Sequence, residues 1–424
     1  MPQLLCESPK PLAVHRTILA CAWLGWIFDF YDLTLITFLV ASTPLTRDLG
    51  LSRPDMAVVL GASLGFTAFG GLICGMLADR YGRKPLLMGT ILVYSLGTCI
   101  SGLATGWWSL MLARAITGLG VGGEWAVAHA LVGETVPPRM RGRYGSYLQT
   151  GATFGLFLAT LVGNYAGPRI GWRWCFLLSA LPALLVVFIR RSMPESDIWQ
   201  SRPRRGGLME MTALFGPRLR KATLLAFSVT VCAMAAYWIK TIWLPTYFRE
   251  TRGLSLDASS RLFFVGQLGS LTGYILSGFA SDRFGRRPAY SIFAACKALG
   301  MLMITVGWAL ASVHPLLLFG CMFLVGVGEG NWGAVGPLLN ELFPTEVRAA
   351  ALGMIYNFAR GAQFVAPIMI AQVAARYSFA EALAPAALFA LLSGALVWAL
   401  PETKGVSLTS PRAVAAGAAS EQRS

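Results

Sequence analysis

The sequence alternates between apolar stretches of about 20 residues and short clusters of charge. A helix of about 20 apolar residues is long enough to cross the hydrocarbon core of a bilayer. Because lipid offers no partners to backbone polar groups, such stretches must be helical. Only 13% of the 424 residues are charged, about half the share of a soluble domain. The pattern excludes a soluble enzyme, a disordered chain and a secreted disulfide scaffold, and it predicts an all-α membrane protein.

The apolar stretches predict twelve transmembrane helices in two groups of six. They lie near residues 17–41, 56–78, 86–104, 107–130, 144–166, 173–190, 222–247, 261–280, 289–311, 315–338, 350–374 and 383–400. The longest polar segment separates the sixth span from the seventh. We therefore expect an N-terminal six-helix bundle over 1–192, a cytoplasmic linker over 193–220, a C-terminal six-helix bundle over 221–404 and a cytoplasmic tail over 405–424.

The positive charge of the chain acts as a topology signal. Its formal net charge of +15 would suggest a nucleic-acid partner in a soluble protein. Of the 35 Lys and Arg residues, 23 fall in loops on one side of the predicted bundle, 8 on the other side and four within spans. Positive loops stay in the cytoplasm. We expect a multi-pass protein of the cell membrane, with both termini cytoplasmic and no nucleic-acid partner.

The two halves repeat a set of charged motifs. The segment GMLADRYGRK, which begins at Gly75, recurs 203 residues later as GFASDRFGRR. Three further charges also recur, Glu124 as Glu329, Glu134 as Glu341 and Arg141 as Arg348. Both copies fall on the same side of the membrane. The repeat is therefore parallel, with its axis along the membrane normal.

With these motifs the chain resembles the major facilitator superfamily over essentially its whole length. Further matches are RAITGLGVGGE at 114–124, PES at 194–196, ELFPTEVRA at 341–349 and PETKG at 401–405. The last is shared with sugar porters. The segment DFYD at 29–32, followed by GGEW at 122–125, is closer to the metabolite:proton symporters, above all the sialate/lactate and aromatic-acid proton symporters. The resemblance implies two parallel-repeat six-helix bundles that expose a central cavity alternately to each side.

The repeated loops supply a candidate cytoplasmic gate. Asp79 and Asp282 end helices, where a carboxylate is unfavourable without nearby cations or the positive N-terminus of another helix. In the family these loops control conformational change and do not contact substrate. The alternative is a set of solvated ion pairs worth about 0–1 kcal/mol each. The candidate gate residues are Gly75, Asp79, Arg80, Gly82, Arg83, Glu134, Arg141, Asp282, Arg283, Arg286, Glu341 and Arg348.

Eight charged residues fall within the predicted spans. They are Asp29, Asp32, Arg114, Glu124, Lys240, Lys297, Glu329 and Arg360. Each costs about 2.5–3.5 kcal/mol at a helix centre, so a functional role is the default expectation. The two lysines have simpler alternatives. Lys297 matches a scaffold position of the family and can snorkel, and Lys240, nearer the outer end of its span, can set topology or contact substrate.

Two aspartates of the first span are the candidates for proton binding. Asp29 and Asp32 are three residues apart and share a helix face. Repulsion between two buried carboxylates favours the uptake of a proton, which proton coupling requires. Alternatively, one of them pairs with an arginine or caps a neighbouring helix. In sugar porters an aspartate that follows a tyrosine in span one works with an arginine of span four. The matching residues, Asp32 and Arg114, make Asp32 the first choice and Asp29 the second, and Glu124 completes the proton-coupling set.

Two arginines point to an anionic substrate. By the resemblance, Arg114 and Arg360 belong to spans that line the cavity, and a guanidinium binds a carboxylate through two parallel hydrogen bonds. The alternative is internal ion pairs, of Arg114 with Asp32 or Glu124 and of Arg360 with Glu329. The candidate substrate-binding set also includes Glu329, Lys240, Asn331, Asn357, Gln149 and Gln267. Its amides can equally form hydrogen bonds between helices.

The expected function is proton-coupled symport of a small organic anion, a carboxylate, by alternating access. Protonation of Asp32, helped by Asp29, would release Arg114 and favour the loaded state. The alternatives are proton-antiport efflux of a drug or metabolite and a non-transporting sensor with the same fold. The expected partners are the organic anion, the proton and the lipid bilayer, and the chain is expected to be a monomer. No cofactor or metal is expected, because the sequence has no Walker A segment and no metal-ligand spacing.

Overall fold

The computed structural model describes residues 12–201, 212–363, 383–406 and 408. Within these ranges the regular structure is entirely helical. Four predicted segments lie partly outside the described residues: the N-terminal bundle over 1–11, the linker over 202–211, the C-terminal bundle over 364–382, which includes the end of span eleven, and the tail at 407 and over 409–424.

The first half of the chain forms six main helices, with short helical turns between them. Five of them are α1 (Leu12–Ser42), α2 (Arg53–Tyr81), α3 (Arg83–Ser101), α4 (Trp107–Thr135) and α5 (Arg141–Leu161). The sixth, α6, consists of two segments, Trp172–Leu178 and Ala183–Ser192. Pro182 precedes the second segment, and its missing N–H and fixed backbone explain the interruption.

The second half repeats this order. Its helices are α7 (Arg220–Thr246), α8 (Leu256–Phe284), α9 (Arg286–Thr305), α10 (Pro315–Val327 and Asn331–Leu342), α11 (Arg348–Ala362) and α12 (Pro385–Leu396). A 3₁₀ turn, Gly328–Gly330, joins the two segments of α10. This turn carries Glu329, one of the charges predicted to lie within the membrane.

Nine helices of the described chain, α1–α4 and α6–α10, are long and apolar enough to cross a membrane. The region of α12 is a shorter apolar helix, Pro385–Ala399. The described part of α11 is buried along nearly its whole length, and α5 is buried over most of it, so neither needs an apolar surface. Large apolar side chains such as Phe69, Leu96, Leu184 and Val306 are exposed on the outside of the bundle. Contact with lipid accounts for such a surface.

The two halves meet through two equivalent helix pairs. Helix α2 of the first half packs on α11 of the second, and α8 of the second half packs on α5 of the first. A Cβ on Gly75 of α2 would lie 2.5 Å from the carbonyl oxygen of Ala349, and one on Gly278 would lie 2.8 Å from the Cα of Arg143. Small residues allow this approach. The first glycine of each repeated motif therefore allows its helix to pack closely against a helix of the other half.

Candidate functional site

One end of the bundle carries both signature loops, and we call it the loop side. In the first half, the buried Arg83 donates to both carboxylate oxygens of Glu134, at 2.9 and 3.2 Å, and lies 3.1 Å from Asp79. Arg348 of the second half donates to Glu134 at 2.7 Å. Glu134 therefore joins an arginine of its own half to an arginine of the other half.

The second half repeats this arrangement. Arg286 donates to both oxygens of Glu341, at 2.8 and 2.9 Å, and to Asp282 at 2.9 Å. Arg141 of the first half lies 3.5 Å from Glu341. We call the two sets together the loop-side network. Because its members are almost fully buried, removing one would leave a charge without its partner, unlike the loss of a solvated surface pair.

The signature aspartates hold the helix starts of the opposite half. Asp79 accepts hydrogen bonds from the backbone N–H groups of Ala349 and Ala350, at 3.1 and 2.8 Å, where α11 begins. Asp282 accepts from those of Gly142 and Arg143, at 2.8 and 3.1 Å, where α5 begins. A carboxylate at a helix N-terminus is stabilised by the helix dipole. Each signature loop is therefore tied to the other half.

Two glutamates outside the predicted set complete the network. Glu195 accepts from the backbone N–H groups of Arg83 and Lys84, both at 3.1 Å, and Glu402 accepts from that of Arg286 at 2.8 Å. Burial raises the pKa of Glu195, although these backbone donors act in the opposite direction. Both glutamates belong to motifs that are visible in the sequence, PES and PETKG. Only the fold shows that these motifs lie against the signature loops.

The remaining loop residues have different positions. Gly82 and Gly285 have φ of 114° and 112°, a region that favours glycine, and each faces the carboxylate of Glu195 or Glu402. Arg80 and Arg283 are exposed, and their guanidinium groups lie 5.2 and 5.5 Å from the rings of the residues that follow them.

Four predicted charges of the first half lie together inside the bundle. Asp29, Asp32, Arg114 and Glu124 are fully buried. Arg114 donates to the hydroxyl of Ser63 at 3.0 Å and to the backbone carbonyl of Asp32 at 2.9 Å. None of the three carboxyl groups accepts a hydrogen bond from the described residues. The alternative ion pair of Arg114 with a carboxylate of Asp32 or Glu124 is therefore not formed in this arrangement.

Glu124 reaches from α4 to α1. A Cβ on Gly25 would lie 2.5 Å from its Oε1, one helical turn from Asp29. Glycine at this position leaves the space that the carboxyl group occupies. The three carboxyl groups therefore share one region between α1 and α4.

The second half also buries four predicted charges, Lys240, Lys297, Glu329 and Arg360. Glu329 accepts from Lys240 at 2.5 Å and from Lys297 at 2.8 Å, and Lys297 also donates to Asn331 at 3.2 Å. The expected alternative pairing of Arg360 with Glu329 is therefore wrong, because two lysines occupy this carboxylate. Lys297 is fully buried on α9, so its side chain does not reach toward the membrane surface, as the snorkelling alternative requires.

A small cavity lies between the halves, and Arg360 is on its wall. Its described lining residues are Phe30, Gln149, Ala152, Met234, Tyr237, Trp238, Tyr274, Trp332, Tyr356 and Arg360. The guanidinium lies 5.2 Å from the ring of Tyr356 and 5.8 Å from each of the rings of Trp26 and Phe30. Its Nε and one terminal nitrogen have no hydrogen-bond partner among the described residues. Such a group is available to bind an anion.

The four predicted amides have four different positions. Gln149 lines the cavity and accepts from the indole N–H of Trp125 at 3.3 Å. Asn357 donates to the carbonyls of Gly122 and Gly353, at 2.7 and 3.1 Å, and so joins helices. Asn331 binds Lys297. Gln267 is half-buried on α8 and is not part of the described cavity wall.

Sequence reasoning missed the aromatic wall. Tyr237, Trp332 and Tyr356 line the cavity, and Trp125 stacks on Tyr356 with ring centroids 3.7 Å apart. Aromatic residues are frequent throughout the apolar stretches, so nothing in their spacing separates these from residues that face lipid.

Comparison with known proteins supports the same architecture. The Major Facilitator Superfamily model matches residues 22–296, and the Sugar (and other) transporter model matches residues 202–413. The structure of a proton:xylose symporter bound to 6-bromo-6-deoxy-D-glucose aligns with a TM-score of 0.75 at 20% identity, covering 94% of this chain and 98% of that chain. The predicted fold of twelve helices in two repeats is confirmed.

Similar sequences are transport proteins. The probable 4-methylmuconolactone transporter of Cupriavidus pinatubonensis is 30% identical over 400 residues, which are 93% of this chain and 92% of that protein. The sialic acid transporter NanX of Escherichia coli is 31% identical over 372 residues, 87% of this chain and 90% of that protein. The chain is therefore a membrane transporter and not an enzyme, and it belongs to the major facilitator superfamily.

Proposed function

We propose that the chain carries a small organic anion, recognised through a carboxylate, across the cell membrane together with protons. Relatives are named as transporters of sialic acid, 4-methylmuconolactone, niacin and cis,cis-muconate, all small organic acids or their close derivatives. The chain would act as a symporter by alternating access, as a monomer with both termini in the cytoplasm.

The observation that carries the proposal is the position of Arg360. It is 1% exposed, lies on the cavity wall and has two nitrogens without a described partner. A buried charge without a partner is costly, and a guanidinium offers two parallel donors that match a carboxylate. The rings of Trp26, Phe30 and Tyr356 around it suit a substrate with a flat apolar body.

The carboxyl groups of the first half support the proton role. Asp29, Asp32 and Glu124 are buried, and no described residue donates a hydrogen bond to them. A buried carboxylate without hydrogen-bond donors is costly, and taking up a proton removes its charge. This is the chemistry that proton coupling needs. Asp32 remains the first choice, because Arg114 is anchored to its backbone.

The loop-side network supports a role as the cytoplasmic gate. Asp79 and Asp282 each bind the start of a helix in the other half, and Glu134 binds Arg348. Opening this side would separate all three contacts. Closure would hold the cavity away from the cytoplasm while substrate and proton enter from outside.

Proteoliposomes test the proposal. A thermal-shift screen of the purified protein with sialate, nicotinate, lactate and cis,cis-muconate selects the carboxylate, and its uptake is then followed under an inward proton gradient. Symport predicts uptake with acidification of the lumen. Antiport predicts proton movement in the opposite direction, and a sensor predicts no movement of either species.

A matched pair of variants separates the cavity arginine from other arginines. Arg360→Gln should abolish uptake. Arg252→Gln is the control, because Arg252 also lies over aromatic rings, 5.0 Å from that of Tyr247 and 4.8 Å from that of Trp308, but outside the described cavity wall. Equal losses in both variants would contradict carboxylate recognition by Arg360.

A further inference from the structure

The charges inside the membrane divide evenly between the two halves. Among the described residues, the first-half cluster consists of three carboxyl groups and one guanidinium: Asp29, Asp32, Glu124 and Arg114. The second-half cluster consists of one carboxylate and three cations: Glu329, Lys240, Lys297 and Arg360. With every group ionised, the formal charges are −2 and +2. The two clusters together are then neutral, although each alone is not.

We infer that transport is electroneutral, with one proton carried for each negative charge on the substrate. The inference rests on the proposed function and specifies its stoichiometry. An anion that binds the second-half cluster adds one negative charge to the interior, and a proton that binds the first-half cluster removes one. The empty carrier and the carrier loaded with both are neutral, whereas a carrier loaded with only one of them is not.

The neutral states are favoured because a net charge in a low-dielectric interior is costly. A carrier loaded with the proton alone is positive and attracts the anion. A carrier loaded with the anion alone is negative and attracts the proton. The two clusters also approach each other, because the guanidinium of Arg360 lies 5.8 Å from the rings of Trp26 and Phe30 on α1, the helix that carries Asp29 and Asp32. Neutrality therefore couples the two species without any contact between them.

The triad around Glu329 sets the charge of the second half. Lys297 binds both Glu329 and Asn331 and is fully buried, so it forms the fixed partner of the carboxylate. The triad as a whole therefore carries one positive charge in excess, and Lys240, which also donates to Glu329, is its more exposed cation. It is 7% exposed and lies 4.9 Å from the ring of Tyr237, which lines the cavity. Together with Arg360 it gives the cavity side of this half two cations for the anion.

One buried histidine is left out of this count. His129 of α4 packs its ring against Trp125, at 4.5 Å between centroids, and against Gly336 of the second half. Its Nε2 has no partner among the described residues. It is counted as neutral, because no carboxylate among the described residues forms an ion pair or hydrogen bond with its ring.

The first test uses the native protein in proteoliposomes. The pH gradient is fixed, and valinomycin with potassium gradients imposes a potential of either sign. A potential of about 100 mV would change steady-state accumulation about 50-fold for each net charge carried per cycle. We expect accumulation of sialate, a monoanion, to stay unchanged. A lumenal pH dye should report one proton for each sialate and two for each cis,cis-muconate dianion.

Two outcomes of this test are distinct. Carboxylate uptake whose accumulation follows the potential would overturn the inference and leave the proposed function standing. The absence of carboxylate uptake under any gradient would overturn the proposed function, and the inference with it.

The second test restores neutrality by a second substitution. Lys297→Gln leaves one negative charge in excess and Glu329→Gln leaves one positive charge, so each should lower uptake about tenfold or more. The double variant K297Q/E329Q is formally neutral again and should recover most of the activity. Thermal unfolding of all four proteins checks that they fold. A double variant that folds but is no more active than the weaker single variant would contradict the charge balance.

Discussion

Glu134→Gln should open the loop side of the transporter. The carboxylate accepts from Arg83 and Ser196 in its own half, and from Arg348 in the other half at 2.7 Å. Both arginine side chains are at most 1% exposed, so water does not replace the lost partner in the closed state. The contacts to Arg83 and Ser196 stay within one half in both states. Among the contacts of Glu134, only the bond to Arg348 is therefore lost when the loop side opens.

The size of the effect follows from that single bond. A hydrogen bond to a charged group contributes about 1.5–3 kcal/mol. Because 1.4 kcal/mol is a factor of ten in an equilibrium constant, the ratio of open to closed protein should rise about 10- to 150-fold.

Thiol labelling measures this ratio. Ser146 is fully buried on α5, where its side chain faces Gly278 and Gly333 of the second half. In a background without the native cysteines, S146C should react with a maleimide only when the halves separate on the loop side. The labelling rate should therefore rise by the same factor in Glu134→Gln.

The control variant removes a carboxylate from a solvent-exposed ion pair. Asp257→Asn removes an acidic partner of Arg261, but these side chains are 75% and 65% exposed and their pair is worth about 0–1 kcal/mol. Labelling should not change in this variant. If Glu134→Gln labels within about twofold of the parent, the loop-side network does not hold the closed state.

Three further predictions concern the proton, the substrate and the packing of the halves. Asp32→Asn should abolish accumulation driven by a proton gradient but retain exchange of carboxylate for carboxylate; intact accumulation would reject this proton site. Arg360→Gln should weaken carboxylate binding about 10- to 150-fold, measured by tryptophan fluorescence, while Arg252→Gln leaves it unchanged. Gly353→Ala should destabilise the closed state by about 1–3 kcal/mol, because its Cβ would overlap the carbonyl of Gly71. Gly89→Ala, with nothing within 4 Å of the added methyl, should label S146C at the parental rate.

The fold and much of the loop side could be predicted from the sequence. Span length and the charge clusters follow from the bilayer, which leaves only helices available. The motifs around Asp79 and Asp282 repeat with their charges, so their equivalence was visible without a structure. Their partners were not all visible, because Glu195 and Glu402 approach from segments more than 100 residues away.

The pairing inside the membrane could not be predicted. Glu329 has three candidate cations on other helices, and only the rotation of α7 and α9 brings Lys240 and Lys297 to it in place of Arg360. A pattern along one helix does not specify its rotation against the next. For the same reason the sequence did not distinguish Asn357, which joins helices, from Gln149, which lines the cavity.

The lumenal pH during substrate entry reports directly whether anion and proton enter together. Proteoliposomes that hold the native protein and a pH dye receive external carboxylate without any imposed gradient. We expect the lumen to acidify in step with uptake, and Asp32→Asn to stop the acidification. A lumen that becomes alkaline, or a carboxylate that enters with no change of pH, would contradict coupled entry of anion and proton.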